Sequence, residues 1–294
     1  MPHGRTGRSI GFLGAVLIVF AVGSLEPRRV RAEEEFVPVD EFLGADGLTG
    51  DALYQRVLDN RFDAFEQIVS LRSGAAEGGG FQGVRVRLRY RNFRHENLQI
   101  LSKTIAKYFE PTDVRHLGYL VINKKNGQDD QFVYRPSARK VRRVNVRGES
   151  VAGTDFSFED IVPPEFEDGS HHRMPDESLD GRPTYVVTVV PKPETESEYS
   201  KLVLYVEQEH FVPIRTLYWD NKRVLVKRLD VDPDSISRYE AEYDGQAKEV
   251  HLASRSRMQH LKLDTYTELT IDEFDARPEL KDRHFSEREL TASR

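Results

Sequence analysis

QFVYRPSARKVRRVNVRGESVAGTDFSFEDI, residues 131–161, is the stretch that decides the fold. Its apolar run 132–134 is β-prone, and Pro136 with Ser137 supplies a turn after which residues 141–146 can return alongside it. Glycines and polar residues then lead the chain toward a single helical turn at the end of the stretch. The stretch therefore predicts a β-hairpin followed by a short excursion out of a sheet.

Further strands are predicted on both sides of this hairpin. In residues 84–91, four apolar side chains alternate with four arginines, which is the pattern of a strand with one apolar and one cationic face. Residues 185–190 and 202–206 are apolar on both faces, as expected of central strands that are covered on both sides. Turn dipeptides separate these runs as far as residue 271. The sequence predicts an α+β fold that is mostly β, built on a large antiparallel sheet.

Helical patterns are few. Leu53, Val57 and Leu58 recur at helical spacing, and beyond them only residues 157–161 and 286–290 suggest helical turns. Wide apolar strand faces with so little helix favour a strongly curved sheet, an incomplete barrel, whose small helical lid encloses an apolar hollow. The side chains predicted to line this hollow or its lid are Leu53, Val57, Leu58, Val84, Val86, Leu88, Tyr90, Phe156 and Phe158.

The N-terminal residues predict export. A basic start, an apolar core over residues 10–23 and a small-x-small site ending at Ala32 indicate a signal peptide over residues 1–32, although an uncleaved anchor or a cut after Ser24 also fits. Without this segment the net charge falls from −6 to −10, which disfavours binding to nucleic acid or anionic membranes. The chain has no cysteine, so it has neither disulfides nor a lipidation site. We expect a periplasmic, monomeric protein.

No motif for catalysis or cofactor binding is present, and the chain is predicted not to be an enzyme. Glycine-flanked serine, phosphate-loop and dinucleotide motifs are absent. His171 and His172 lie near acidic residues, but adjacent histidines on a strand point to opposite faces, so a solvated loop is favoured over a metal site. Phe156 and Phe158 have two interpretations, the mouth of the hollow or a hydrophobic plug under a loop.

A basic set follows the first hairpin strand and has two interpretations. Arg139, Arg142 and Arg143 could bind an acidic partner or a phosphate-bearing headgroup. They could equally be the solvent-exposed side of an ordinary hairpin, where basic residues keep a strand soluble. The arginines of residues 85–91 form a second cationic stripe, which could lie beside the first.

Six segments of the chain resemble the outer membrane lipoprotein-sorting protein family, whose members carry a LolA-like domain. They are LTGDALYQRVLDN (48–60), FVYRPSARKVRRV (132–144), GTDFSFEDI (153–161), LDGRPTYVV (179–187), YSKLVLYVEQEHFVPIRTLYWD (199–220) and SRSRMQ (254–259). The resemblance implies a single LolA-like domain over residues 33–294, an incomplete barrel closed by helices, and accompaniment of an envelope export system.

Two functions follow from these expectations. The first is a periplasmic carrier that shields acyl chains of a lipoprotein or another lipid between two membranes, with an inner-membrane export transporter as a candidate partner. The second is a lipid-sensing regulator or interaction subunit on the same fold, for which the basic residues would be the working surface. Reversing the charges of Arg142 and Arg143 separates the two.

Overall fold

The computed structural model describes residues 42–75, 82–126, 128–144, 148–161, 165–243 and 245–292, all within the unit Pro38–Arg294. The predicted signal peptide lies outside these residues. In this part of the chain the helices are α1 (Gly50–Asp59), α2 (Phe158–Ile161) and α3 (Glu287–Thr291). The strands are β1 (Ala64–Ala75), β2 (Gln82–Asn92), β3 (Ile100–Glu110), β4 (Gly118–Lys124), β5 (Asp130–Arg135), β6 (Lys140–Val144), β7 (Gly169–Leu179), β8 (Arg182–Pro191), β9 (Tyr199–Glu207), β10 (Pro213–Asp220), β11 (Leu225–Val231), β12 (Ile236–Tyr243), β13 (Gln246–Ala253), β14 (Arg255–His260) and β15 (Thr265–Asp275).

Thirteen of these strands form one antiparallel sheet. Their spatial order is β6-β5-β4-β3-β2-β1-β15-β14-β11-β10-β9-β8-β7, so the first and last strands of the chain's β region, β1 and β15, meet in the middle. The sheet is curved but does not close, and β12 with β13 makes a separate hairpin. The predicted fold class, a mostly β fold with an incomplete barrel and few helices, is confirmed.

One face of the sheet is lined by apolar side chains that are in register across many strands. Leu71 of β1 is paired with Val84 of β2 on one side and with Leu269 of β15 on the other. The same buried cluster contains Tyr119 of β4 and Tyr199 of β9, which lie far apart in the strand order. Since side chains from distant strands meet only on the inside of a curve, we call this the inner face.

The opposite, outer face is covered in part by the C-terminal segment. Phe285 and Leu290 are buried against Ile105 of β3 and Leu120 of β4. Leu290 lies so close to Gly118 that a Cβ there would be 2.7 Å from its Cδ1 atom. The predicted helical turn near residues 286–290 is therefore confirmed as α3, and its role is to cover strands rather than to close the inner face.

The two strands that were predicted to be central lie near one edge of the sheet. Residues 185–190 and 202–206 fall in β8 and β9, the second and third strands from the β7 edge. Their apolar inner sides are buried because α1 packs on them, with Val187 and Val206 at its contact. The prediction of cover by a helix was right, and the prediction of a central position was wrong, because sequence periodicity reports burial and not place in a sheet.

Candidate functional site

A short segment between β6 and β7 leaves the sheet and lies on its inner face. We call residues 149–161 the plug. It makes its own tight turn, in which the amide of Val151 donates to the carbonyl of Phe156 over 2.8 Å and the amide of Phe158 donates to the carbonyl of Glu149 over 3.1 Å. Gly153 has a positive φ of 78° at this turn, a conformation that favours glycine. Helix α2 completes the segment.

The plug fills the inner face with its apolar side chains. Val151 and Phe156 are buried in the cluster that includes Val84 and Val86 of β2. The ring of Phe158 packs on Tyr119 with centroids 4.0 Å apart. Phe156 and Phe158 therefore pack as a hydrophobic plug under a loop, which was one of their two interpretations.

One polar anchor joins the plug to β15. The backbone amide of Asp155 donates to Oγ1 of Thr267 over 2.9 Å, and its carboxylate accepts from Thr265 at 2.5 Å and from Thr267 at 2.8 Å. Thr267 is fully buried. Because buried hydroxyls and carboxylates require partners, this anchor fixes the position of the turn as well as its conformation.

A second anchor joins α2 to β11 and β9. The Asp160 carboxylate, whose side chain is 1% exposed, accepts from Nζ of Lys227 over 2.8 Å and from the hydroxyl of Tyr199 over 2.7 Å. It also accepts from the amide and the hydroxyl of Ser157 at 2.7 and 2.8 Å. Burial, together with the charge of Asp160, raises the pKa of Tyr199 and of Tyr218. Tyr199 therefore acts as a hydrogen-bond donor to this carboxylate.

Helix α1 covers the neighbouring stretch of the same face. Thr49 caps it by accepting from the amide of Ala52, and Leu53 and Leu58 are buried against β8 and β9. Leu202 of β9 packs against both this cluster and the plug's cluster, so the two stretches are continuous. The lid predicted from sequence thus has two parts, of which α1 is one.

Contacts at its first turn hold α1 tightly to β7. A Cβ on Gly50 would lie 2.5 Å from the carbonyl oxygen of His171. The His171 ring stacks on Tyr54 at 4.1 Å, and its Nδ1 atom lies 2.8 Å from the Asp51 carboxylate. Burial lowers the pKa of His171 below its ordinary value, although Asp51 opposes this. His171 is therefore part of a docking interface.

The nine predicted lipid-contacting residues fall into two packed groups and two single residues. Leu53, Val57 and Leu58 pack on β8 and β9, and Val57 is only half-buried there. Val84, Val86, Phe156 and Phe158 meet in the plug's cluster. Leu88 is half-buried on the same face. Tyr90 stacks on Phe65 at 5.2 Å, and burial raises its pKa to about 12.

Sequence reasoning missed the polar residues that hold the plug. Thr265, Thr267, Lys227 and Tyr199 come from strands whose order in the sheet the sequence did not reveal. In the sequence these residues are only polar or aromatic positions within β-prone runs. Such residues are common on strands, so they do not indicate a site.

The two basic stripes lie apart. Arg142 and Arg143 are exposed on β6, an edge strand of the sheet, with Arg139 in the turn before it, and Arg143 pairs with Asp130. The arginines of β2 lie four strands away on the outer face, where Arg89 pairs with Glu66 at 2.5 Å and Glu289 at 3.0 Å. The expected proximity of the two stripes was wrong, and the second stripe is largely neutralised.

His171 and His172 lie on β7 rather than in the solvated loop that was favoured over a metal site, and acidic residues near them form ion pairs. Asp176 pairs with the buried Arg173 at 2.9 Å, and Glu165 accepts from Arg61 at 3.2 Å and from Arg94. Burial raises the pKa of Glu165. Among the described residues, no group of three or more histidine or carboxylate side chains is placed to hold a metal ion. Within the same part of the chain, every helix is too short or too polar to cross a bilayer.

Comparisons with known proteins agree with the fold. A family model described as "Uncharacterized protein" matches residues 101–292. An outer membrane lipoprotein-sorting protein domain from Vibrio parahaemolyticus is 20% identical, with a TM-score of 0.71 over 83% of this chain and 98% of its own. A DUF1329 family protein from Desulfovibrio piger is 22% identical, with a TM-score of 0.72 over 82% and 97%. A LolA superfamily protein from Nitrosomonas europaea is 20% identical, with a TM-score of 0.59 over 81% and 98%. No curated protein matches the sequence.

Proposed function

Because the chain belongs to the family whose model spans residues 101–292 and has the LolA-like fold of outer membrane lipoprotein-sorting domains, we propose that it is a periplasmic lipid carrier. In this proposal the inner face binds the acyl chains of a lipoprotein or another lipid and shields them from water between the two envelope membranes. The observation that carries it is a wide apolar sheet face that is covered by α1 and by a short plug that is not itself part of the sheet.

The energies of plug and acyl chain support exchange between them. Fully burying one aliphatic or aromatic side chain contributes about 1.5–3 kcal/mol, so the buried Val151 and Phe156 together contribute roughly 3–6 kcal/mol, and the half-buried Phe158 and Ile161 add a smaller amount. One fatty chain of about fifteen methylenes contributes roughly 12 kcal/mol when it is buried. A lipid that replaces the plug therefore gains only the difference, and release to an acceptor remains feasible.

The plug, rather than α1, is the element that exchanges in this proposal. Helix α1 is docked through backbone contact at Gly50 and through the stacked His171 and Tyr54 rings. The plug is joined to the sheet by side-chain anchors at Asp155 and Asp160, which can break without changing any strand pairing. The proposal therefore combines a fixed α1 with a movable plug.

Binding of a fluorescent acyl probe to the protein purified from its native periplasm tests this function. We expect saturable binding that extracted periplasmic lipid competes away, and lipid that copurifies with the protein by mass spectrometry. Absence of both copurified lipid and probe binding overturns the proposal.

A second candidate function rests on the edge strand β6. Arg142 and Arg143 are exposed there, which suits a lipid-sensing regulator or an interaction subunit that engages an acidic partner. Reversing both charges would then abolish partner capture and leave probe binding intact. A carrier without such a partner would be unaffected by the same change.

A further inference from the structure

Lys227 places a cation on the inner face. It lies on β11 and is 8% exposed, and its register partners are Tyr218 of β10 and His260 of β14. Around it the inner face is apolar, with Met258 and Leu229 in the same cluster. A buried ammonium among such side chains is costly unless an anion compensates it.

The anion in this structure is supplied by the plug. Asp160 presents one carboxylate oxygen to Lys227 at 2.8 Å and the other to the Tyr199 hydroxyl at 2.7 Å. Lys227 also donates to the Tyr199 hydroxyl oxygen over 3.0 Å, so the two donors are held together by their own contact. The sheet thus carries a preformed pair of donors that fits the two oxygens of a single carboxylate.

Displacing the plug removes this anion but leaves the donors. Asp160 and Ser157 belong to the plug, whereas Lys227 and Tyr199 belong to β11 and β9. The exposed inner face would then carry the charge of Lys227 within a surface that is otherwise mainly apolar.

On the premise that the plug is displaced by lipid, as proposed above, we infer that the ligand is a single-chain fatty carboxylate. Its carboxylate takes the place of Asp160 at Lys227 and Tyr199, and its chain follows the apolar surface that Phe156 and Phe158 vacate toward Val84 and Val86. A neutral lipid would leave Lys227 without a counter-ion. A phosphate has a third oxygen, and Ser157, which donates to the Asp160 carboxylate in this structure, leaves with the plug, so the two donors that remain match the two oxygens of a carboxylate.

Calorimetric titration of the full chain at pH 8, below micelle formation, tests the headgroup. The ligands are palmitate, hexadecanol and hexadecyl phosphate, and the proteins are the unchanged chain, Lys227→Met and Tyr199→Phe. We expect palmitate to bind at least tenfold more tightly than hexadecanol. In Lys227→Met this preference should disappear while hexadecanol binding remains, and in Tyr199→Phe it should fall several-fold.

The outcomes distinguish this inference from the carrier function. Equal binding of palmitate and hexadecanol, or a preference that Lys227→Met retains, overturns the inference and leaves the carrier intact. Tighter binding of hexadecyl phosphate than of palmitate overturns the choice of carboxylate. Failure of all three ligands in a protein that still binds the acyl probe overturns the inference alone, whereas loss of probe binding and of copurified lipid as well overturns the proposed function. Tyr199→Phe keeps the ring in place, so it decides the matter if Lys227→Met does not fold.

Discussion

The ring of Phe158 in the plug lies on the ring of Tyr119 in β4, with centroids 4.0 Å apart and planes inclined at 34°. Two residues later in the same helix, Asp160 pairs with Lys227 in β11. Because β4 and β11 belong to opposite halves of the sheet, the plug bridges the two wings of the incomplete barrel. Displacing the plug would expose the inner face and remove this contact between the two wings, while the strands would stay paired.

Shortening the plug's buried aromatic should weaken the fold and ease entry of lipid. Phe156 is 5% exposed, and Phe156→Ala should lower the free energy of unfolding by about 3 kcal/mol because it leaves a cavity. The same variant should associate faster with an acyl probe. Urea unfolding and stopped-flow fluorescence measure the two effects. Leu263→Ala, at a side chain that is 66% exposed, is the control and should change neither.

Removing the charge of Asp160 should loosen the plug selectively. Asp160→Asn leaves the buried Lys227 without its counter-ion. Removing one partner of a buried pair typically lowers the free energy of unfolding by about 3–5 kcal/mol. We expect faster hydrogen exchange at the amides of residues 149–161 with the strands still protected. Asp130→Asn is the matched control, since Asp130 forms partly exposed ion pairs with Lys124 and Arg143, and we expect the change to lower the free energy of unfolding by only about 1 kcal/mol. Equal hydrogen exchange rates of residues 149–161 in the two variants would show that Asp160 does not hold the plug in place.

Gly50→Ala should weaken the docking of α1, although alanine has a better helix propensity than glycine. Alanine favours a helix over glycine by about 1 kcal/mol, but here its Cβ would meet the His171 carbonyl oxygen at 2.5 Å. Gly50→Ala should therefore destabilise the protein in thermal unfolding. Gly83→Ala, where the nearest atom to a Cβ is 3.8 Å away, serves as the control. Stabilisation by Gly50→Ala would show that α1 is loosely held.

Stability should fall as the pH drops below the ordinary pKa of histidine. Burial lowers the folded-state pKa of His171, so the unfolded chain takes up a proton first, and the stabilisation present above pH 6.5 is lost as the pH falls toward the folded pKa. Denaturant unfolding between pH 8 and pH 5 measures this slope. His171→Gln should flatten it. An unchanged slope in the variant would assign the acid sensitivity to other groups.

The sequence predictions that the structure confirms rest on local patterns, namely apolar alternation along a strand and turn residues. The alternation over residues 84–91 predicted β2 and its inner apolar side, and the turn at Pro136 predicted the hairpin of β5 and β6. The family resemblance likewise predicted the LolA-like fold that the structural comparisons support. These features are local or are repeated along one strand, so they can be read without knowing which strands are neighbours.

Long-range pairing could not be read in the same way. Lys227 meets Asp160, which is 67 positions earlier, and Arg89 meets Glu289, which is 200 positions later. Such contacts follow from the strand order, in which β1 lies beside β15, and no local pattern encodes that order. The anchors of the plug and the neutralisation of the β2 arginines were missed for this reason.

A reversible lock on the plug tests the central claim, that lipid binds where the plug now lies. The side chains of Asp155 and Thr267 are in direct contact, and the chain has no cysteine of its own, so the pair Asp155→Cys with Thr267→Cys can be oxidised without competing thiols. With the disulfide verified by mass, acyl-probe affinity should fall at least tenfold and return on reduction, while Asp155→Cys alone is insensitive to oxidant. Equal affinity of the locked and reduced protein would contradict the account.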